Sequence, residues 1–357
     1  MIGGMLWGVL FVRAAFADHI RIATYNVELS RRGPGLLLAA MAKGDRAAEA
    51  AAAVVARVAP DVLVLNGIDF DCDLMTISAF AELVAKHGHE MPYRLALRPN
   101  SGWASGIDLD GDGWLGGPGD AQGFARYAGD GGMAVLSRYP FGTVRDLSGL
   151  IWARQSWASL PVKSGAPYPS KAAMEVQRLS SVGHWIVPVM IGERRLDVMA
   201  FHATTPVFDG PEDRNGKRNH DEVLLWQHVL NGEYGRAPLT PFVIAGDANL
   251  DPVDGAGIRT AIRRLLDDKR LLDPRPKSAG GRAAADAGQK GDPAFDTVDW
   301  PGAEEAGPGN LRVDYVLPSA ELRVLDAGVY WPAPGADGHD EAQVASRHRL
   351  VWVDVGW

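Results

Sequence analysis

The stretch Pro241-Phe242-Val243-Ile244-Ala245-Gly246-Asp247-Ala248-Asn249-Leu250-Asp251-Pro252 constrains the fold of this chain more than any other. Its bulky apolar residues read as a short strand buried on both faces, and Gly246 and Pro252 mark the strand's end as a turn. An acid and an amide therefore stand where a buried strand stops. If the backbone stays extended, Asp247 and Asn249 project to the same side and offer one anionic acceptor and one neutral donor at a common point. That pair suits a metal-activated water or a phosphoryl oxygen. On these residues alone, an Asx turn closing a core strand fits as well.

Four further β-type runs each carry an Asn, His or Asp: Thr24-Tyr25-Asn26-Val27-Glu28, Phe201-His202-Ala203, Arg312-Val313-Asp314-Tyr315-Val316-Leu317 and Ser346-Arg347-His348-Arg349-Leu350-Val351. Taken together in this order, the five resemble the endonuclease/exonuclease/phosphatase superfamily, the deoxyribonuclease-I-like phosphoesterases, from Ile20 to Trp357. The resemblance implies an α/β fold of four layers, a sandwich of two packed mixed β-sheets flanked by helices. The cleft would lie where the strands bearing Asn26, His202, Asp247, Asp314 and His348 terminate.

A length of 357 residues fits one domain or two, and the end-to-end spread of the motifs implies a single domain over residues 18–357. With a net charge of −8 there is no overall drive toward polyanions, so nucleic-acid binding would rest on local Arg and Lys clusters. The single cysteine, Cys72, excludes an intrachain disulfide framework. An apolar run over residues 5–12, followed by Ala15-Phe16-Ala17, reads as an export signal over residues 1–17, giving a secreted or periplasmic protein; a frayed apolar N-terminus is the alternative. No other run approaches the roughly 20 apolar residues of a membrane span, and a monomer is expected.

Within the resemblance, Asn26 is placed beside metal and phosphate, and two family positions differ. Asn66 is followed by Gly67, where the family has a metal-ligating Glu, and Arg347 precedes His348, where the family has an Asp. Mg²⁺ uses only one or two protein carboxylates, so Glu28 or Asp69, each two residues from a family position, is expected to substitute as a ligand for Mg²⁺ or Mn²⁺. Asp69 reads equally well as a cap for the next segment. Arg178 lies where such enzymes place a phosphate-contacting arginine. The polar segment Glu212 to Glu222, with Arg214 and Asn219, reads as an anion-binding rim ahead of a helix over Val223–Val229, or as a plain surface loop.

Asp108-Leu109-Asp110-Gly111-Asp112-Gly113 copies the first half of a calcium loop. Gly119 stands where the closing Glu belongs, and Asp120 is the candidate replacement. The segment is either a structural Ca²⁺ site that orders its loop or a solvated polar turn. Helices are expected over Asp45–Val58 and Ile258–Leu272. Ala279–Asn310 reads as an exposed connection, from which Asp296-Thr297-Val298-Asp299-Trp300 reaches the cleft.

The implied mechanism has His348 take a proton from water that Asp247 holds, with Asp314 orienting a histidine. Asn26, Asn249, His202 and one Mg²⁺ then stabilise charge on phosphorus. The reading is an exported divalent-metal-dependent phosphoesterase acting on a phosphodiester or a small organic phosphate. The alternatives are an extracellular nuclease and, because of Gly67 and Arg347, a weakened binding module on the same scaffold.

Overall fold

A computed structural model of the chain describes residues 19–238 and 241–357; the expected export signal lies outside them. Its strands are, in chain order, β1 (Ile20–Leu29), β2 (Val62–Ile68), β3 (Tyr93–Leu95), β4 (Gly132–Ser137), β5 (Arg145–Asp146), β6 (Val162–Lys163) and β7 (Ala166–Pro167). Then come β8 (Gly183–Ile191), β9 (Arg194–His202), β10 (Phe242–Asp247), β11 (Asp314–Pro318), β12 (Arg323–Tyr330) and β13 (Leu350–Gly356). The helices are α1 (Leu36–Met41), α2 (Arg46–Val58), α3 (Met75–Lys86), α4 (Lys171–Val176), α5 (Arg214–Leu230), α6 (Thr260–Leu266), α7 (Ala279–Ala283) and α8 (His339–Ala345).

Two mixed sheets carry the fold, in the orders β12-β13-β1-β2-β4-β3 and β11-β10-β9-β8-β5. β1 runs parallel to β2, and β9 parallel to β10; the other pairings in both sheets are antiparallel. Alternation along each strand sends side chains to two different cores, because both faces of both sheets are covered. Ile22, Val64 and Val353 of the first sheet meet Trp185, Val198 and Val243 of the second. On the outer face of the first sheet, Tyr25, Leu63 and Leu65 pack under Val54, Val55 and Phe80 of α2 and α3. On the outer face of the second, Met199, Phe201 and Ile244 pack under Leu225, Trp226 and Ile262 of α5 and α6. These are the four expected layers.

Local chemistry sets most boundaries. Asp45 caps α2 by accepting the Ala48 N–H at 3.0 Å, and Ala59 closes it in the left-handed region at φ 51° before Pro60. Two expectations are corrected. α6 stops at Leu266, because Asp268 turns back to accept the Arg270 N–H and its guanidinium. The segment expected as a rim loop over 212–222 is mostly helix: α5 begins at Arg214 and buries Arg218, Asn219, Asp221 and Glu222.

Candidate active site

Register brings the reactive groups into one row. Asp247, the last residue of β10, pairs with His202 on β9 and with Asp314 on β11, so three functional side chains sit side by side at aligned strand ends. The first sheet supplies the facing wall, with Asn26 on β1 opposite Asn66 on β2 and His348 just ahead of β13. Asn26 donates its Nδ2 to Asp247 Oδ2 at 2.9 Å across the two sheets. His348 Nδ1 lies 2.9 Å from Asp314 Oδ2 and 3.9 Å from Asp247 Oδ2, and His202 Nε2 lies 3.5 Å from Asp247 Oδ2. Two imidazoles and two acids thus converge with Asn26 on one point.

Asn249 joins the group differently from the expected extended pair. Its φ of 48° turns the chain, its N–H donates to Asp247 Oδ1 at 2.8 Å, and its Nδ2 donates to Ala203 O at 3.0 Å. It closes an Asx turn and also lines the cleft beside His202.

Burial drives the electrostatics. Asp247 and Asp314 are fully buried. Desolvation, then the charge of Asp314, pushes Asp247 up to about 7 against the pull of His348 and Asn26. Burial alone would lower His348, but the charge and hydrogen bond of Asp314, backed by Asp247 and Glu28, raise it to about 9. His202 moves the other way, down to about 3, because it is desolvated and faces His348. Near neutrality the site therefore holds one cationic imidazole and one neutral one.

The residues expected to hold Mg²⁺ or Mn²⁺ are otherwise engaged. Asp69 accepts the Arg31 N–H at 3.0 Å and the Gly131 N–H at 3.2 Å, tying two loops together. Glu28 takes the Arg347 Nε at 3.0 Å and the Arg347 N–H at 2.8 Å, so both of its oxygens are paired. The oxygen of Asn26 accepts the Glu28 N–H at 3.2 Å. A Cβ on Gly67, whose φ is +68°, would come within 2.4 Å of that same oxygen. The cleft's remaining acidic cluster is Asp247, Asp314 and His348, whose ligand-type atoms lie within 4.8 Å of one another. Three of its four carboxylate oxygens already accept hydrogen bonds, and Asp314 Oδ1 has no partner among the described residues. With Gly67 and Arg347 in place of the family's two acids and Glu28 paired to Arg347, the cleft offers Mg²⁺ only Asp247 and Asp314, whose negative charge is already countered by the cationic His348, so the donor set does not fit that ion.

The expected phosphate-binding residues separate into three positions. Arg178 is spent on Asn100 Oδ1 at 2.7 Å and on the Trp103 ring at 4.0 Å; it does not line the cleft. Asn219 is a strut, donating to Thr204 O at 2.7 Å and Ala248 O at 2.8 Å, which ties together the loops that follow His202 and Asp247. Arg214 lines a cavity of about 560 Å³ that opens beside His202 and Asn249, together with Arg126 and the highly exposed Phe124 and Phe208. Its buried Nε has no partner among the described residues.

Supporting residues that sequence reasoning missed are Thr297, Ser346, Arg218 and Glu222. Thr297 donates to Asp314 Oδ2 at 2.8 Å and accepts the Asp314 N–H at 3.0 Å. Ser346 donates to Asn26 O at 2.8 Å. Arg218 donates to the carbonyls of Leu179, Arg178 and Ser180, and Glu222 accepts the Thr204 N–H at 2.7 Å. Thr297 was within reach, since it lies in the stretch expected to reach the cleft, where Trp300 stands edge-on to His348 at 5.5 Å. The others offered no signal beyond polarity.

In the acidic loop, Asp108, Asp110 and Asp120 bring carboxylate oxygens within 4.8 Å of one another. Asp112 stands apart from that cluster, and its carboxylate accepts the Trp114 N–H at 2.7 Å.

Among the described residues, no helix is long and apolar enough to cross a membrane. No curated protein matches the chain in sequence. Among solved structures, an endonuclease/exonuclease/phosphatase from Beutenbergia cavernae superposes with a TM-score of 0.55 at 18% identity, covering 95% of this chain and 71% of that one. A family protein from Leptotrichia buccalis gives 0.51 at 16%, over 95% and 100%. Sphingomyelinase C from Streptomyces griseocarneus gives 0.50 at 18%, over 94% and 99%. These likenesses establish the deoxyribonuclease-I-like fold. Since the sequence model of the Endonuclease/Exonuclease/phosphatase family also matches residues 23–348, nearly the whole chain, the protein belongs to that family.

Proposed function

We propose that this chain hydrolyses a phosphodiester or a small organic phosphate by direct attack of water, as a phosphoric ester hydrolase. Family members are metal-dependent hydrolases of phosphoesters. The observation that carries the reading is the row His202, Asp247, Asp314 with His348 and Asn26 closing over it. A buried acid raised to about 7 beside an imidazole raised to about 9 is the kind of pairing that acid–base sites use.

Those values favour Asp247 as the base, in place of His348. The water oxygen bonds to phosphorus as its proton passes to Asp247. The bond to the leaving oxygen breaks on the opposite side, and that oxygen takes a proton from solvent. His348, cationic and held by Asp314, faces the charge that builds on the phosphoryl oxygens, with neutral His202 beside it. Hydrolysis of bis(p-nitrophenyl) phosphate or the monoester tests the proposal, and Asp247→Asn is expected to abolish it. No turnover on any phosphate ester by the wild type rejects it.

The extracellular nuclease is the second reading, favoured by Phe124 and Phe208 at the mouth of the cavity beside Arg126 and Arg214, an aromatic and cationic lining that suits stacked bases and phosphates. Export rests on residues 1–17, and the mature N-terminus read by mass spectrometry tests it. Ca²⁺ in the acidic loop is part of the same proposal.

A further inference from the structure

The wall of the cleft where the resemblance places a divalent cation is fully built from this chain's own groups. Glu28 is gripped by the Arg347 guanidinium through Nε and Nη2, and its other oxygen accepts the Arg347 N–H. Ser346 holds Asn26 O at 2.8 Å, so the ion pair is locked to the strand that presents Asn26 to Asp247. The Arg347 carbonyl accepts the Asp299 N–H at 2.9 Å, which fixes the backbone next to His348. Asn26 Oδ1 packs on Gly67, leaving no room for a side chain there.

Charge points the same way. The family's arrangement sets two carboxylates against a divalent cation, and both of those acids are absent here, replaced by Gly67 and Arg347. Arg347 and Glu28 restore the same balance without an ion. A guanidinium is suited to this because it presents its donors on two edges. One edge is committed to Glu28; Nη1 makes no hydrogen bond to the described residues, and the Arg347 side chain is 60% exposed.

We propose that the Arg347 guanidinium, held by Glu28, supplies at the phosphoryl group the positive charge that a metal ion supplies elsewhere in the family, so that the reaction needs no divalent cation. The inference rests on the phosphoesterase reading.

Its test is hydrolysis of bis(p-nitrophenyl) phosphate by the full chain after chelation, with and without added Mg²⁺ or Mn²⁺. Both are run in an Asp108→Asn background so that the acidic loop contributes no cation effect. The expected result is a rate that the added ions leave unchanged. Arg347→Gln should lower kcat about a hundredfold, the scale of losing one preorganised donor to a developing oxyanion, with partial recovery in Arg347→Lys. The double variant Glu28→Gln/Arg347→Gln, which leaves no unpaired carboxylate, should show the same loss. Calorimetry with inorganic phosphate in metal-free buffer gives a readout independent of turnover: wild type binds, and Arg347→Gln binds more weakly.

Activity that disappears with the chelator and returns with Mg²⁺ or Mn²⁺ overturns the proposal, as does an Arg347→Gln variant equal to wild type. If wild type hydrolyses nothing under any condition, the phosphoesterase reading fails. The phosphate titration then still decides whether Arg347 is the anion's partner.

Discussion

Asp247 and His348 stand 3.9 Å apart, and each biases the other's proton. With Asp247 at about 7 and His348 at about 9, activity should rise as pH climbs through the first value and fall through the second, giving a bell. The apparent constants belong to the coupled group and not to either residue alone. A rate profile flat across that window excludes Asp247 as base. Stability carries opposite signs for the two. His348 contributes most below its ordinary value of 6.5, and that contribution is lost as pH rises through about 9. Ionising Asp247 costs stability, a cost that grows from its ordinary 3.8 up to about 7. Residues of this kind were legible because each stands at one end of an apolar run, Asp247 closing β10 and His348 just ahead of β13. Strand alternation did not carry over to Glu28 and Asp69 because each pairing is bulged there, between Asn26 and Leu29 and between Asn66 and Ile68: Glu28 has φ 48° and Gly67 φ +68°, so spacing by two no longer means a shared side.

Elements fail to announce themselves when their buried face is polar. α5 puts Arg218, Asn219, Asp221 and Glu222 toward the protein, so its apolar period is visible only from Val223 onward, and its first two turns read as a loop. Those polar residues hold the cleft's loops in place. Asn219→Ala leaves the carbonyls of Thr204 and Ala248 without their donor. The expected cost is about 1–3 kcal/mol in urea unfolding, with a fall in turnover as the loops after His202 and Asp247 loosen. Unchanged stability would show that the strut carries no strain. In the acidic loop, Ca²⁺ titrated by calorimetry should bind in the weak range of about 10⁻⁴–10⁻³ M seen for extracellular modules. Asp120→Asn should abolish it and Asp112→Asn should leave it intact, because only Asp120 of these two belongs to the converging cluster. Equal effects of the two substitutions would reduce the loop to a hydrogen-bonded turn.

At the scale of the molecule, two sheets each present part of one site, and neither half has a function by itself: Asn26 and His348 come with the first sheet, His202, Asp247 and Asp314 with the second. That long-range assembly was readable because the five runs fall in a known order, whereas the cavity beside it was not, since Arg126, Phe124, Phe208 and Arg214 come from separate irregular segments and one helix start. For the proposed hydrolase the cavity bounds the substrate, and net charge makes its size measurable. A chain of charge −8 gains nothing from a polyanion at long range, so any hold on nucleic acid has to come from a few local cations, Arg126 and Arg214 on the cavity wall and Arg347 in the role proposed for it. Three phosphate contacts to a duplex imply that affinity falls about fortyfold between 50 and 200 mM salt, while hydrolysis of a small diester changes little. Binding of a DNA duplex measured across that range by fluorescence anisotropy separates the readings. A fall of that size supports a nuclease, and duplex binding absent even at low salt leaves the small organic phosphate as the substrate.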